Sequence, residues 1–111
     1  MTPARGDEEA RPVEVMVLTV PGCPHAALAE ERLATAIAGL AGVHVIHRVV
    51  ADEQDAVVLG MRGSPTILID GSDPFASPAE GPSLSCRLYR QADGSLAGAP
   101  AAEALREAIT R

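Results

Sequence analysis

The sequence predicts an α/β domain with elements in the order β-α-β-α-β-β-α, and three observations carry that expectation. Short apolar runs rich in β-branched residues, at 15–20, 43–50 and 66–70, read as strands. Between them, apolar residues recur every three or four positions, the spacing of a helix with one buried face. Glycines and Asp-Gly pairs separate the two kinds of segment.

Residues 1–12 are rich in charge, Pro and Gly without periodicity, so a disordered tail is expected there, and the domain spans 13–111. After the first strand, Ala26, Ala29, Leu33, Ile37 and Leu40 form one helical stripe. Pro24 suits the first helical position, where it has no N–H to lose, and Gly39 and Gly42 end the helix. Residues 43–50 read as an edge strand interrupted by His44, His47 and Arg48. His44 and His47 are three apart in a strand and point to opposite faces, which argues against a shared metal site and leaves both as solvated or edge residues.

Asp52 is placed to cap a short helix running through Ala56, Val57 and Leu59 to Gly60, with Asp55 also near its positive end. The strand at 66–70 closes on the turn Asp70-Gly71. The stretch 72–83, rich in Pro, Gly and Ser, is longer than most connections, and such loops are functional or disordered. Residues 84–90 alternate with period two and read as one strand, followed by the Asp93-Gly94 turn. Pro100 then opens a last helix with Leu105, Ala108 and Ile109 facing inward.

Length supports one domain: 111 residues make a single core but not two. Phe75 and Tyr89 are the only aromatic residues, so the core must be built from Val, Ile, Leu and Ala. The formal net charge of −6, with nine arginines and no lysine, argues against nucleic acid or an anionic membrane as a partner. The same arginine and alanine bias points to a GC-rich bacterial genome. No segment reaches transmembrane length and the N-terminus lacks an apolar signal core, so a cytoplasmic protein is expected. In that setting two cysteines are more often reactive or buried than a structural disulfide.

The chemistry concentrates at Cys23-Pro24-His25-Ala26, directly after the first strand. A cysteine delivered by a strand to the start of a helix meets unsatisfied backbone N–H groups and the positive dipole end, which stabilise a thiolate. His25 adds a positive charge when protonated, or stands as an exposed helix residue without a partner. A second motif, Gly63-Ser64-Pro65-Thr66, opens the apolar run Ile67-Leu68-Ile69.

In their order and spacing these two motifs resemble the thioredoxin superfamily over roughly residues 13–111. The resemblance implies a thioredoxin-like fold, a mixed four-stranded sheet flanked by helices. It implies that Pro65 is a cis-proline lying against the cysteine, with Ser64 offering its backbone to substrate and Gly63 permitting close approach of the loop. Pro24, Gly63, Ser64, Pro65 and Thr66 are then the substrate-binding set, and Cys23 with His25 the catalytic pair. Cys-Pro-His is similar to the opening of the motif in DsbA-type oxidoreductases, where a second cysteine stands at the place of Ala26. Here Ala26 removes the resolving thiol, and Gly22 replaces the familiar tryptophan before the cysteine.

The expected function is therefore thiol–disulfide exchange or mixed-disulfide formation through a single cysteine. The partner would be a protein or low-molecular-weight thiol or disulfide, with no cofactor and no metal. Any second thiol must come from Cys86, a small thiol or another protein. In the thioredoxin topology the strand of Cys86 starts at the end of the sheet far from Cys23, so Cys86 reads either as a small core residue or as a possible second thiol. Two alternatives stay open. One is soft-metal or organomercurial chemistry using Cys23 and Cys86 with Asp70 or Asp73 as proton donor, since Gly63-Ser64-Pro65-Thr66, Asp70-Gly71 and Asp73-Pro74-Phe75 together resemble short bacterial alkylmercury lyase-like chains. The other is a non-catalytic binding module that keeps a peptide groove beside Pro65.

Overall fold

A computed structural model of the chain describes residues 12–77 and 79–111; the disordered tail expected at 1–12 lies outside the described residues, apart from Pro12. The elements follow as β1 (Val13–Thr19), α1 (Ala26–Ile37), β2 (Val43–Val49), α2 (Glu53–Leu59), β3 (Arg62–Ser64), β4 (Thr66–Ile69), β5 (Ser83–Cys86), β6 (Tyr89–Arg90), β7 (Leu96–Ala97) and α3 (Ala102–Thr110). The main sheet has the order β2-β1-β4. β1 runs parallel to β2, from Val13 opposite Val43 to Thr19 opposite Val49. It runs antiparallel to β4, from Val15 opposite Ile69 to Leu18 opposite Thr66. The sheet is thus mixed, and β2 lies at its edge.

Successive residues of β1 face opposite sides, and each side has its own core. Val15 and Val17 pack with Ala29, Leu33 and Ala36 of α1, Ile67 of β4, and Leu105 and Ile109 of α3. Leu18 packs on the other face with Val50, Ala56 of α2, Met61 and Leu68. Both sides are built from aliphatic and small residues, as the scarcity of aromatics requires. Ala26 is half-buried, and the stripe that α1 buries fully is Ala29, Leu33 and Ala36.

Two long arginine reaches fix the helices. Arg32 of α1 donates to the Ala99 carbonyl at 2.8 Å and to Gln91 at 3.1 Å. Arg106 of α3 donates to the carbonyls of Ala36 and Ala38 at the end of α1, where backbone acceptors are unpaired and a cation suits the dipole. Asp52 caps α2 through the Asp55 N–H at 2.8 Å, and Gly60 closes it in the left-handed region at φ +79°.

The expected fourth sheet strand is not there. Residues 84–90 break at Arg87-Leu88 into β5 and β6; β5 pairs in parallel with β3, and β6 pairs antiparallel with β7. The cause is Arg87. Alternation by hydropathy would turn Leu84, Cys86 and Leu88 inward, but only Leu84 packs on the core; the buried residues are Arg87 and Tyr89, Cys86 is exposed and Leu88 is 56% exposed. Arg87 is drawn in by Asp73, with Nη1 and Oδ2 2.6 Å apart and side chains only 5% and 4% exposed. Its Cζ also lies 4.5 Å over the Tyr89 ring, which meets Phe75 edge-on at 5.7 Å. Asp73 thereby pins the start of the long connection against the domain.

Burial works against the Arg87 charge, but the hydrogen bond to Asp73 and the charges of Asp73 and Glu80 outweigh it and raise its pKa. Burial pushes the Tyr89 phenol well above its ordinary range, against the opposing pull of Arg87. Tyr89 therefore stays protonated and donates to the carbonyl of Pro65.

Candidate functional site

β1 ends at Thr19, and the chain turns at once. The Cys23 N–H donates to the Val20 carbonyl at 3.1 Å, and the Cys23 carbonyl accepts from Ala26 N at 3.3 Å. Gly22 takes φ +70°, which a side chain would strain. The first regular helical bond runs from Ala29 N to the His25 carbonyl at 3.0 Å, so His25 is the N-cap of α1. Pro24 therefore sits in the exposed turn before the cap rather than at the first helical position, because the tight Cys23–Ala26 turn delays the helix. Cys23 is half-buried in that turn.

His25 is neither exposed nor without a neighbour. Its ring lies against Gly98, where an added Cβ would come within 2.3 Å of the imidazole Cγ and Nδ1. Gly98 is the residue that leaves room for it.

The second motif supports the first from below. The Ser64–Pro65 peptide bond is cis. Ser64 Oγ accepts from the Val20 N–H at 3.0 Å, so the residue before Pro65 holds the start of the cysteine turn. Gly63, at φ +122°, lets the chain of Ser85 and Arg87 approach so closely that a Cβ would sit 2.8 Å from that of Arg87. Thr66 is buried; its hydroxyl accepts from Arg62 N at 3.0 Å and donates to the Gly63 carbonyl, closing the β3–β4 turn. The Ser64 carbonyl accepts from Arg87 N at 3.0 Å. Ser64, Pro65 and Thr66 are all fully buried and serve as the frame of the loop, and β5 covers the edge that the resemblance assigns to substrate.

Cys86 differs from expectation in both burial and position. It is exposed rather than part of the core. It also lies opposite Ser64 in the β3–β5 register rather than at the far end of the sheet. The reason is the pairing partner: β5 adds to β3, beside the Pro65 loop, and not to the outer side of β4.

A set of residues not foreseen from the sequence lies at the other side of the turn. His47 Nδ1 is 2.6 Å from Glu30 of α1, and Nε2 is 2.8 Å from the buried hydroxyl of Thr19. With Nδ1–H facing the carboxylate, Nε2 accepts from Thr19, so β2, α1 and the end of β1 are joined by one imidazole. Parallel pairing of β1 with β2 was the signal that would have placed His47 here; His44 is exposed.

The carboxylates offered to soft-metal chemistry have other partners. Asp73 is bound to Arg87, and Asp70 Oδ1 accepts from Glu14 N at 2.9 Å. Among the described residues no group of three or more His, Cys, Asp or Glu could hold a metal ion, and no helix is long and apolar enough to cross a membrane. No protein-family model matches the chain, and the search of curated proteins finds no match.

Proposed function

We propose that this chain is a thioredoxin-like thiol protein that acts through Cys23 in thiol–disulfide exchange. The observation that carries the reading is the hydrogen bond from Val20 N to Ser64 Oγ, which ties the turn presenting Cys23 to the Ser64–Pro65 loop. A mixed sheet with β1 parallel to β2 and antiparallel to β4, and a helix starting just beyond the cysteine, supports a thioredoxin-like core. Two free cysteines fit a reducing, cytoplasmic setting.

In the reaction the Cys23 thiolate attacks one sulfur of a disulfide RSSR. The new Cys23–SR bond forms as the old S–S bond breaks, and RS⁻ leaves with the electron pair and takes up a proton. RSSR is a low-molecular-weight or protein disulfide. Since Pro65 is buried and the Ser64 carbonyl is bound to Arg87, an extended peptide reaches that edge only by displacing β5.

The test is exposure of the native protein to oxidised glutathione, followed by intact-mass analysis and peptide mapping. Modification through Cys23, lost in Cys23→Ser, is the expected result. A protein whose Cys23 stays unmodified while free cysteine reacts under the same conditions overturns the reading.

A further inference from the structure

We infer that Cys86 is the resolving thiol of Cys23, so that the site is a two-cysteine device assembled from β1 and β5 rather than a single-sulfur site. This rests on the reactivity of Cys23 proposed above. Three placements bring the two residues to one loop cluster. Cys86 is the register partner of Ser64. Ser64 Oγ binds Val20 N, and Val20 O binds Cys23 N, so two hydrogen bonds and one strand pairing connect the cysteines. Leu84, in the same strand as Cys86, packs against the core that Val20 also adjoins.

Orientation agrees. Paired residues of neighbouring strands project to the same face, so Cys86 projects with Ser64, whose hydroxyl is aimed at Val20. Arg87, the next residue, turns the opposite way into its pair with Asp73 and anchors the strand that carries the thiol. Cys86 is exposed, as a thiol that must meet an adduct has to be.

Both cysteines are unbonded in this structure, and a disulfide needs Cα atoms within about 7 Å. The moving part is the exposed Pro21-Gly22 turn, where a Cβ added at Gly22 would meet no atom within 4 Å. The step balances: the Cys86 thiolate attacks Cys23 of the Cys23–SR adduct, the Cys23–Cys86 bond forms, and RS⁻ leaves. Over both steps RSSR is reduced to two RSH, and the two protein thiols are oxidised to one disulfide.

The experiment compares the wild type, Cys23→Ser and Cys86→Ser, each treated with oxidised glutathione, quenched in acid and mapped by mass. The wild type is expected to end as a monomer lighter by two hydrogens, with a Cys23–Cys86 peptide and no glutathione. Cys86→Ser is expected to stop at one glutathione on Cys23. Release of glutathione from Cys23 should be on the order of 100-fold slower in Cys86→Ser, since a tethered thiol acts at millimolar effective concentration. Wild type that accumulates the same stable Cys23 adduct as Cys86→Ser, or glutathione on both cysteines, overturns the resolving role while leaving Cys23 reactive. Cys86→Ser that takes no glutathione on Cys23 overturns the underlying reading, and the inference with it.

Discussion

Ser64 touches both halves of the site: its Oγ holds Val20 N at 3.0 Å, at the start of the turn that carries Cys23, and its backbone pairs with Cys86 of β5. A serine in this loop is therefore a joint. Ser64→Ala leaves the Val20 N–H without its partner and should cost about 1 kcal/mol by denaturant unfolding. It should also lower the rate at which oxidised glutathione modifies Cys23, because the turn loses its tether. A variant that loses stability but keeps the full rate would separate the tether from the chemistry.

The Arg87–Asp73 pair makes a sharper stability prediction. Removing one member of a buried ion pair leaves an uncompensated charge and costs about 3–5 kcal/mol. Asp73→Ala should fall at the lower end of that range in urea unfolding, because Glu80 Oε1 remains 3.7 Å from the guanidinium. Replacing both, as Asp73→Ala with Arg87→Met, should be milder than the two single losses added together.

Tyr89 is the chain's only tyrosine, and there is no tryptophan, so its absorbance reports a single phenol. Burial raises its pKa in the folded state, so folding favours the protonated form. That contribution is present in full below about pH 10, the ordinary tyrosine value, and is lost as pH rises from there toward the folded value. Phenolate absorbance should therefore appear together with unfolding in an alkaline titration. Tyr89→Phe should lose stability less steeply above pH 10 than the wild type.

Gly98 gives a steric test of the placement of His25. Gly98→Ala puts a methyl group 2.3 Å from the imidazole and should cost about 1–3 kcal/mol. His25→Ala in the same chain should recover part of that loss, and a double-mutant cycle with no coupling between the two positions would show that the ring does not rest there.

The local parts of this molecule were legible. The Asp52 cap, the left-handed Gly60 and the strand–turn–helix around Cys23 follow from nearest-neighbour chemistry. What failed was non-local. Residues 86–90 alternate in burial with Arg87 and Tyr89 inward, because Asp73, fourteen positions away, neutralises Arg87 in the interior. Hydropathy scores an arginine as solvent-facing and cannot see that partner. The same error misplaced Cys86, since its neighbourhood depends on β5 pairing with β3 rather than β4. His47 does lie exposed on the edge strand β2, but its partners, Thr19 and Glu30, could not be read in advance because they meet it only once β1, β2 and α1 are assembled.

If Cys23 is the reacting sulfur, it must win a competition within one molecule. Cys86 is exposed while Cys23 is half-buried, so exposure alone favours Cys86. Native protein labelled with less than one equivalent of iodoacetamide and mapped by mass should carry the label predominantly on Cys23. Label confined to Cys86, with Cys23 untouched until the protein is unfolded, would rule out Cys23 as the reacting sulfur.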